Sequence, residues 1–459
     1  MTDKNIRKID IYSINDFHGV IEPLRHFSSA SVFSKLLQLK NRNPENTIIV
    51  SSGDMFESPP LMKGSPGHLT IQLMNLVNTT AMTVGNHDFD WFPKRKSYLQ
   101  ELQKQLCCPL LACNIINKST GKRPEFIKPS IIVNLSGIKV AFIGLITEEC
   151  SQICLKEELG KIQVVDSVSS LKEELARVKQ LGADICIGLG HVGAFQDTPG
   201  GVIKGETAGL LHHFNSRDLQ GFVTAHTHQY VTGTINDIHV VQAGSFGEGI
   251  GHFEFLVNAE YKEILDISAK IIKIEKIRSQ KTLNPDILKL IQKGQKETTK
   301  SPERIGYTAR DLTIDYGRET FWGKFVAESM QKLVNADLGI INPGAFRTPM
   351  KAGELHTTDI IQNLPFDNTV CKIQLKGEVI KKILQRPVNP SMGILQTTGT
   401  ENLDDDRFYT SAVSSFLAAG GDGYSEFTSG SFLEDSGVII RDAVIKRIKE
   451  DKSVILKRW

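Results

Sequence analysis

The sequence has little that would direct it into or across a membrane. No stretch approaches the roughly 18 apolar residues that a membrane-spanning helix needs. The N-terminal segment MTDKNIRKIDIYSIND lacks the apolar core of about 7–15 residues that characterises a signal peptide. The 7 cysteines are odd in number and form no C-x-x-C pair, which favours a reduced compartment. We therefore expect a cytoplasmic protein.

An excess of charge of either sign is also lacking. The chain has 54 basic and 52 acidic residues, and its formal net charge is +2. Such a balance gives no long-range field that would attract nucleic acid or an anionic membrane, so we expect neither partner. A length of 459 residues exceeds one ordinary hydrophobic core and predicts two domains. We expect a monomer or a homodimer.

Five short apolar runs end in polar residues of the types that bind metal ions. Each run is apolar on both faces, which is typical of a strand buried between two layers. Because ligands gather outside the carboxyl ends of strands in open α/β sheets, we expect the five motifs to meet there. The motifs are Asp16-Phe17-His18, Gly53-Asp54, Gly85-Asn86-His87-Asp88, Gly190-His191 and His226-Thr227-His228.

A βαβ unit is predicted in the same half of the chain. Ile138–Ile146 and Ala183–Leu189 have the composition of buried strands. Between them, apolar residues recur at helical spacing from Val168 to Leu181, after the N-cap candidate Asp166. This pattern predicts a helix that packs on a parallel sheet.

The five motifs together supply the ligands of a two-metal hydrolytic centre. Phosphate ester hydrolysis needs a nucleophile and charge neutralisation, and two divalent ions about 3.5–4 Å apart supply both. Asp54 is a natural bridging ligand, and Asn86 adds a neutral oxygen. Ligation by nitrogen and oxygen without cysteine suits Mn, Zn, Co, Fe or Ni. Isolated histidines such as His239 and His252 are interpreted as surface or core residues.

The order of these motifs resembles that of the calcineurin-like metallophosphoesterase superfamily. The segment Gly85-Asn-His-Asp-Phe-Asp90 is similar to the 5'-nucleotidase branch in particular. The resemblance implies that one metal ion is bound by Asp16, His18, Asp54 and His228. It implies that the second metal ion is bound by Asp54, Asn86, His191 and His226.

The resemblance also implies a catalytic pair and a fold. His87 would donate a hydrogen bond or a proton to the phosphoryl group or the leaving oxygen, and Asp90 would orient His87. The implied fold class is α/β, with an N-terminal four-layer α/β/β/α sandwich and a smaller C-terminal α/β domain. Composition becomes rich in lysine after about Asp266. The domains are therefore predicted at residues 1–270 and 305–459, joined by a helical linker at residues 271–304.

Three motifs in the C-terminal half resemble the substrate-binding domain of 5'-nucleotidases. They are Asn342-Pro-Gly-Ala-Phe-Arg347, Asn363-Leu-Pro-Phe366 and Phe416-Leu-Ala-Ala-Gly-Gly-Asp-Gly-Tyr424. The resemblance implies that Arg347 contacts the substrate phosphate. It further implies that Asn342 and Asp422 contact the base or ribose, and that Phe366 and Phe416 stack on the base.

Four positions depart from the family pattern. Ala225 replaces the usual glycine before His226, and Asp88 stands in place of a glutamate, a change that leaves the predicted metal ligands untouched.

The other two departures lie in the C-terminal half. Pro343 stands where a glycine is usual, and it stiffens the turn after Asn342. Tyr316 stands where related nucleotidases often have a further arginine for the substrate. The departure at Tyr316 bears directly on nucleotide specificity.

The function implied by the resemblance is hydrolysis of nucleoside 5'-monophosphates to nucleoside and phosphate, by in-line attack of a metal-bound hydroxide. UDP-sugar or NAD pyrophosphatase and 2',3'-cyclic nucleotide phosphodiesterase are alternatives on the same framework. A non-catalytic nucleotide-binding protein is disfavoured because no ligand of the metal motifs is missing. A hydrolase of a non-nucleotide ester is disfavoured because Phe366 and Phe416 are both present.

Overall fold

The computed structural model describes residues 5–19, 29–56, 67–89, 98–150, 154, 160–275, 283–296, 303–386 and 393–450. The chain forms two compact units, Met1–Thr298 and Thr299–Trp459. The first unit carries the predicted metal motifs, and the second carries the predicted nucleoside-binding motifs. The boundaries predicted from the sequence, at 270 and 305, stay predictions.

The first unit alternates strands and helices as far as the strand Leu110–Leu111 and then continues as runs of strands separated by single helices. Its strands are β1 (Ile6–Ile14), β2 (Thr47–Ser51), β3 (Ala81–Thr83), β4 (Leu110–Leu111), β5 (Ile115–Asn117), β6 (Ile127–Lys128), β7 (Ser130–Leu135), β8 (Ile138–Ile146), β9 (Ile162–Val164), β10 (Ile185–Gly193), β11 (Phe195–Gln196), β12 (Ile203–Lys204), β13 (Gly221–Ala225), β14 (Tyr230–Ile235), β15 (Ile238–Ala243), β16 (Gly249–Asn258) and β17 (Glu263–Lys273). Its helices are Ser31–Lys40, His68–Leu76, Tyr98–Gln105, Ser167–Gln180, Glu206–Leu211 and Pro285–Lys296.

Two large sheets form the centre of this unit. Among the described residues, seven strands form one sheet in the order β17-β16-β1-β2-β3-β4-β6. Six strands form the other sheet in the order β14-β15-β13-β10-β8-β7, again counting only the described ranges. Strands β1, β2 and β3 run parallel, as do β8, β10, β13 and β15.

The two sheets stack face to face, and helices cover their outer faces. On β1, Ile9 and Ile11 belong to the apolar layer between the sheets, which Phe142 of β8 shares. Tyr12 and Ile14 of the same strand belong to the apolar cluster on the opposite face, because side chains alternate along a strand. A third cluster joins the second sheet to the helices that cover it. These layers confirm the predicted α/β/β/α sandwich.

The predicted βαβ unit is confirmed within the second sheet. Strands β8 and β10 are parallel neighbours, and the helix Ser167–Gln180 connects them. The side chain of Asp166 accepts the backbone N–H of Ser169 at 2.7 Å and so caps the helix. The sequence pattern was wrong at its last position: the helix ends at Gln180, and Leu181 is 52% exposed.

This topology brings the carboxyl ends of β1, β2 and β3 to one edge of the first sheet. The motifs that begin at Asp16, Gly53 and Gly85 follow these three strands. In the second sheet, the ladder between β10 and β13 shifts register between Leu189 and Gly193. The irregularity contains His191, so it sets the direction of that side chain.

Part of the predicted linker at residues 271–304 belongs to the first unit. Strand β17 extends to Lys273, and a helix begins at Pro285 and ends at Lys296. Ile287 and Ile291 of this helix are buried in the apolar cluster that covers the first sheet. A lysine-rich composition therefore marks the solvated face of a packed helix here.

The second unit is a smaller α/β structure. Its strands are β18 (Arg304–Thr308), β19 (Leu338–Ile341), β20 (Gly353–His356), β21 (Thr369–Lys376), β22 (Gln396–Thr398), β23 (Phe408–Ser414) and β24 (Ser431–Ile439). Its helices are Phe321–Val334, Thr357–Asn363, Gly377–Leu384, Ser415–Ala418 and Ile440–Glu450.

A mixed sheet organises this unit. Within the described residues, five strands pair in the order β22-β19-β23-β21-β24. The helix Phe321–Val334 is capped by the side chain of Thr320, which accepts the N–H of Gly323 at 3.0 Å. Phe325 and Val326 of this helix are buried in the apolar core that includes strand residues Ile341 and Ala412. None of the helices in the described ranges is long and apolar enough to cross a membrane.

Candidate active site

Asp16, His18 and His228 form the first of two converging groups of metal-binding side chains. Their donor atoms all lie within 4.8 Å of one another. The Nε2 atoms of His18 and His228 are 2.9 Å apart, and Nε2 of His228 is 3.8 Å from Oδ1 of Asp16. The ring of Phe246 packs against both histidine rings, with centroids 5.5 and 5.3 Å away. These contacts hold both rings in place.

The second group consists of Asp54, His191 and His226, with Asn86 beside them. The donor atoms of the three titratable residues also lie within 4.8 Å of one another. Nε2 of His191 is 3.2 Å from Oδ2 of Asp54 and 2.9 Å from Oδ1 of Asn86. Nδ1 of His191 contacts the carbonyl oxygen of Ser52 at 2.9 Å. With Nδ1 donating to that carbonyl, the lone pair of Nε2 faces Asp54 and Asn86.

Most of the predicted ligands have an unusual backbone conformation. Residues other than glycine rarely adopt a positive backbone φ, and the strain of that conformation is concentrated at functional sites. Five of the predicted ligands have φ between 48° and 77°. They are Asp16, His18, Asp54, His226 and His228.

Two motif glycines allow the backbone to approach the ligands closely. A Cβ atom on Gly53 would lie 2.8 Å from the backbone nitrogen of Gly85 and 2.9 Å from Nδ1 of His191. A Cβ atom on Gly85 would lie 2.1 Å from Oδ1 of Asp54. No side chain fits at either position, which explains the glycine in the Gly-Asp and Gly-Asn-His motifs.

The electrostatics of the metal-free site favour a bound cation. Burial alone would raise the pKa of Asp54, but His191 and His87 hold that pKa well below its usual range. Burial opposes charge on His191, yet Asp54 raises the pKa of His191 to about 10. Burial raises the pKa of Asp16. A buried site with several carboxylates must be neutralised by protons or by metal ions.

The donor set fits divalent metal ions. Two ligand atoms that each lie about 2.1 Å from one ion are about 3–3.5 Å apart, which matches the contacts around His191. The Nε2 atom of His226 is buried and has no hydrogen-bond partner within the described ranges. Carboxylate, imidazole and amide donors suit Mn, Zn, Co, Fe or Ni and leave the choice among them open. Asp54 contacts His191 and interacts electrostatically with Asp16 and His18 of the first group, so it remains the candidate bridging ligand.

Asn15 supports the first group, although the sequence alone did not reveal it. Its side-chain amide donates to Oδ2 of Asp16 at 2.7 Å and to the carbonyl of Gly244 at 2.6 Å. Its side-chain oxygen accepts the N–H of Ala243 at 3.1 Å. Asn15 thus joins Asp16 to the end of β15. Its position directly before a predicted ligand was the only signal in the sequence.

His87 lies at the same site, as its motif predicted. Its ring centroid is 5.5 Å from that of His18, and its backbone N–H donates to Oδ1 of Asp54 at 2.9 Å. Its side chain is half-buried. Asp90, the predicted partner of His87, lies outside the described residues, so the pair stays a prediction.

A third group of possible ligands lies on the outer face of the first sheet. Asp10, His252 and Glu254 have donor atoms within 4.8 Å of one another. Nε2 of His252 contacts Oδ1 of Asp10 at 2.8 Å, and Nζ of Lys8 contacts Oε2 of Glu254 at 2.5 Å. The ring of His252 stacks on Tyr12 with centroids 4.4 Å apart. Because Lys8 already supplies the compensating charge, this group carries no metal assignment.

In the second unit, Asn342 and Asp422 come together. Asn342 follows β19, and its side-chain amide donates to Oδ2 of Asp422 at 2.7 Å. Asp422 has a left-handed backbone with φ of 53°, within the glycine-rich loop Gly420–Gly423. Pro343 begins a short 3-10 helix at Pro343–Ala345, where its fixed φ is suitable. The departure from the family glycine therefore leaves the turn intact.

Arg347 and Phe366 also form a pair. The guanidinium carbon of Arg347 lies 4.9 Å from the centroid of the Phe366 ring. Arg347 is 5% exposed, and its Nη1 donates to the carbonyl of Gly344 at 2.8 Å. Arg441 donates to the carbonyls of Pro365 and Phe366 at 2.9 and 2.8 Å, and to Asp367. Arg441 was missed from the sequence because it lies far along the chain.

Phe416 packs directly on the glycine-rich loop. A Cβ atom on Gly421 would lie 2.4 Å from Cε1 of Phe416, so the ring lies on the bare backbone there. Phe416 is partly buried against the core around Leu417 and Tyr424. Tyr316, the other departure in this half of the chain, accepts the N–H of Ile394 through its carbonyl at 2.8 Å. The roles of these side chains toward a substrate stay predictions.

Comparison with known proteins matches both halves of the chain to families. Residues 9–230 match the model described as calcineurin-like phosphoesterase. Residues 297–399 match the model described as 5'-nucleotidase, C-terminal domain. The two matches occur in the order that the motifs predicted.

Individual relatives agree with these matches. The 5'-nucleotidase of Vibrio cholerae is 24% identical over 516 residues, which cover 98% of this chain and 92% of that protein. Endonuclease YhcR of Bacillus subtilis is 26% identical over 460 residues, and the alignment spans 89% of this chain but 37% of YhcR.

A solved structure has the same fold over nearly the whole chain. The 5'-nucleotidase precursor of Thermus thermophilus superposes with a TM-score of 0.81 at 20% sequence identity, covering 97% of each chain. The predicted fold and the predicted recognition are confirmed. The chain therefore has a domain that matches calcineurin-like phosphoesterases, followed by a domain that matches the 5'-nucleotidase C-terminal domain.

Proposed function

We propose that the chain hydrolyses nucleoside 5'-monophosphates to nucleoside and inorganic phosphate. The observation that carries this proposal is the convergence of two ligand groups, which are linked because the Asp16 carboxylate of the first accepts the backbone N–H of His226 in the second at 3.1 Å. The first ion would be held by Asp16, His18, Asp54 and His228, and the second by Asp54, Asn86, His191 and His226. Bound there, two divalent ions would neutralise the phosphoryl oxygens and activate water.

The protein residues orient the reactants around that centre. His87 is tied to Asp54 through its backbone N–H, so its imidazole is held beside the metal ligands. A half-buried imidazole can reach a substrate and give a proton to the leaving oxygen, since the P–O bond to the nucleoside breaks as phosphate forms. The strained ligand backbones keep the donor atoms preorganised before substrate arrives.

The nucleoside preference rests on the second unit. Phe366 and Phe416 offer aromatic faces, and stacking on a base contributes about 1–3 kcal/mol per contact. The guanidinium of Arg347 suits a phosphate because it is permanently charged and donates in a fixed geometry. Asn342 and Asp422 hold each other at 2.7 Å and offer an amide and a carboxylate to hydroxyl or base edges.

Diester or pyrophosphate substrates are the second candidate. The relative YhcR is named an endonuclease, and that name describes cleavage of phosphodiesters. Tyr316 in place of a substrate arginine also removes one positive charge from phosphate recognition. The same metal ligands would serve NAD, UDP-sugars or 2',3'-cyclic nucleotides, because each presents a phosphorus atom to them.

A substrate panel tests the proposal. Phosphate release is measured for AMP, GMP, UMP, a UDP-sugar, 2',3'-cyclic AMP, NAD and an aryl phosphate, with added Mn²⁺ or Co²⁺ and with a chelator. We expect metal-dependent release from the monophosphates and a drop in kcat of roughly 10²-fold in His87→Asn, the usual size of a general-acid contribution. Activity on the aryl phosphate alone would remove the nucleotide assignment and retain the metal centre.

The cytoplasmic location remains a prediction as well. All seven cysteines are free thiols, which is compatible with a reducing compartment. Cell fractionation with an antibody to the chain would test it.

A further inference from the structure

Glu149 faces a ligand of the candidate metal centre from the second sheet. It lies in the loop after β8, and its Oε2 atom is 3.5 Å from Nε2 of His226. Both atoms are buried, and neither has a hydrogen-bond partner within the described ranges. Two buried polar atoms that face each other without a hydrogen bond destabilise the fold. A proton shared between them would remove this cost in free energy.

The loop that carries Glu149 is fixed independently of His226. Glu206, at the start of the helix Glu206–Leu211, accepts the hydroxyl of Thr147 at 2.5 Å and the N–H of Glu148 at 3.0 Å. The hydroxyl of Thr147 in turn accepts the N–H of Glu149 at 3.1 Å. Glu149 is therefore presented to His226 by a braced turn.

The contact with Glu149 involves one identified nitrogen of the His226 ring. Nε2 faces Glu149, whereas one ring nitrogen lies within 4.8 Å of donor atoms of Asp54 and His191. A proton on Nε2 that is donated to Glu149 leaves the lone pair of Nδ1 to face the metal.

We propose that Glu149 is a positioning residue for the second metal ion. Its carboxylate accepts the Nε2–H of His226, fixes the tautomer and the ring orientation, and makes Nδ1 a better donor. This role rests on the proposed metal centre. It adds a carboxylate that does not itself bind the ion, and it gives the two facing buried atoms of Glu149 and His226 a shared proton.

Cobalt binding tests the assignment without relying on turnover. The dissociation constants for the first and second Co²⁺ are measured by competition with a chelator in wild type, Glu149→Ala, Glu149→Gln and the control Glu173→Gln, an exposed helical carboxylate. We expect Glu149→Ala to weaken one of the two sites by about 10–100-fold, the usual effect of removing a carboxylate behind a ligating histidine. Glu149→Gln keeps an acceptor oxygen and should fall between.

Proton NMR of the Co²⁺-loaded protein gives a second signature. The Nε2–H of a histidine bound through Nδ1 is an exchangeable, strongly shifted resonance, and the bond to Glu149 should slow its exchange with D₂O. In Glu149→Ala that resonance should exchange faster. Thermal unfolding of the metal-free variants shows whether each of them folds. If Glu149→Ala does not fold, the comparison of Glu149→Gln with wild type provides the test.

The failures of the two proposals are distinguishable. Wild type that binds no Co²⁺ would remove the metal centre and the role of Glu149 together. Wild type that binds two equivalents, with Glu149→Ala unchanged in affinity and in proton exchange, would overturn only the role of Glu149.

Discussion

Asp88 holds the backbone around Asp54. Its Oδ2 atom accepts the N–H of Asp54 at 3.2 Å and that of Gly85 at 2.8 Å, while Oδ1 accepts the N–H of Met55 at 3.3 Å. Asp88 is fully buried, and its side chain is one methylene shorter than the glutamate usual in the family. The backbone conformation of Asp54, the candidate bridging ligand, therefore depends on a carboxylate that is not among the predicted ligands.

Asp88→Asn is expected to lower stability and metal affinity together. An amide presents only one acceptor oxygen, so at least one of the three N–H donors loses its partner at a cost of about 1–3 kcal/mol. Thermal unfolding of the metal-free protein measures the first effect, and equilibrium dialysis with Mn²⁺ measures the second. Asp197→Asn is the control, because Asp197 is 75% exposed. If Asp88→Asn unfolds at the same temperature as wild type and binds Mn²⁺ with the same affinity, Asp88 does not stabilise the backbone around Asp54.

Much of the first unit follows from local patterns. Asp16, Asp54 and His191 were predicted because each follows an apolar run, and parallel strands bring such ends to one edge of a sheet. Asn15 and Glu149 were not predicted as site residues, because no periodic pattern in the sequence distinguishes them. Their roles depend on residues far along the chain that the topology places beside them: Ala243 and Gly244 beside Asn15, and His226 beside Glu149.

The second unit shows the same limit. The apolar patterns predict a strand at Thr369–Leu375 and a helix at Glu319–Leu333, and the structure has them at Thr369–Lys376 and Phe321–Val334. Arg441, in contrast, lies 75 residues from Phe366, whose carbonyl it binds. A single sequence gives no signal for a contact of that separation. The pairing appears only once the helix Ile440–Glu450 is placed.

Arg441→Met is expected to loosen the loop that carries Phe366. Arg441 is 7% exposed and joins Pro365, Phe366 and Asp367, so its removal takes a hydrogen-bond donor from two carbonyls and a positive charge from beside a carboxylate. Removing one partner of a buried ion pair costs on the order of 3–5 kcal/mol. Urea unfolding should show that loss, and KM for AMP should rise because Phe366 loses its fixed position.

Lys446→Met, on an exposed part of the same helix, is the matched control for Arg441→Met. It should leave both unfolding and KM unchanged. If Arg441→Met loses stability but keeps its KM for AMP, Phe366 has no part in nucleoside binding.

Gly421→Ala is expected to weaken nucleotide binding selectively. The added Cβ would lie 2.4 Å from Cε1 of Phe416, so the ring must move off the loop. If Phe416 stacks on the base, its displacement should cost about 1–3 kcal/mol, or roughly a 5- to 150-fold rise in KM for AMP. Glycerol phosphate has no base and should keep its KM.

Gly209→Ala is the control for Gly421→Ala, since a Cβ at Gly209 meets no atom within 4 Å. Equal rises in KM for AMP and glycerol phosphate would make Phe416 a packing residue only.

Cys107 should be the first thiol of the native protein to be alkylated. Its side chain is exposed, and the thiol of Cys108 donates to it, so the pKa of Cys107 is lowered to about 7 despite some burial. Lys40 lowers it further. Burial raises the pKa of Cys186 to about 11, which leaves that thiol protonated and covered. Because the thiolate is the reactive form, iodoacetamide labelling at Cys107 should rise as pH increases through about 7.

Mass spectrometry of limited labelling between pH 6 and pH 9, about the range where thiolates form, identifies the modified peptide and its pH midpoint. Cys107→Ser should abolish the early label, and Lys40→Met should move the midpoint to higher pH, because a neutral side chain no longer favours the thiolate. A midpoint that stays in place in Lys40→Met would assign the lowered pKa to the Cys108 thiol alone. Early labelling at Cys186 would show that the second sheet opens far more readily than its packing indicates.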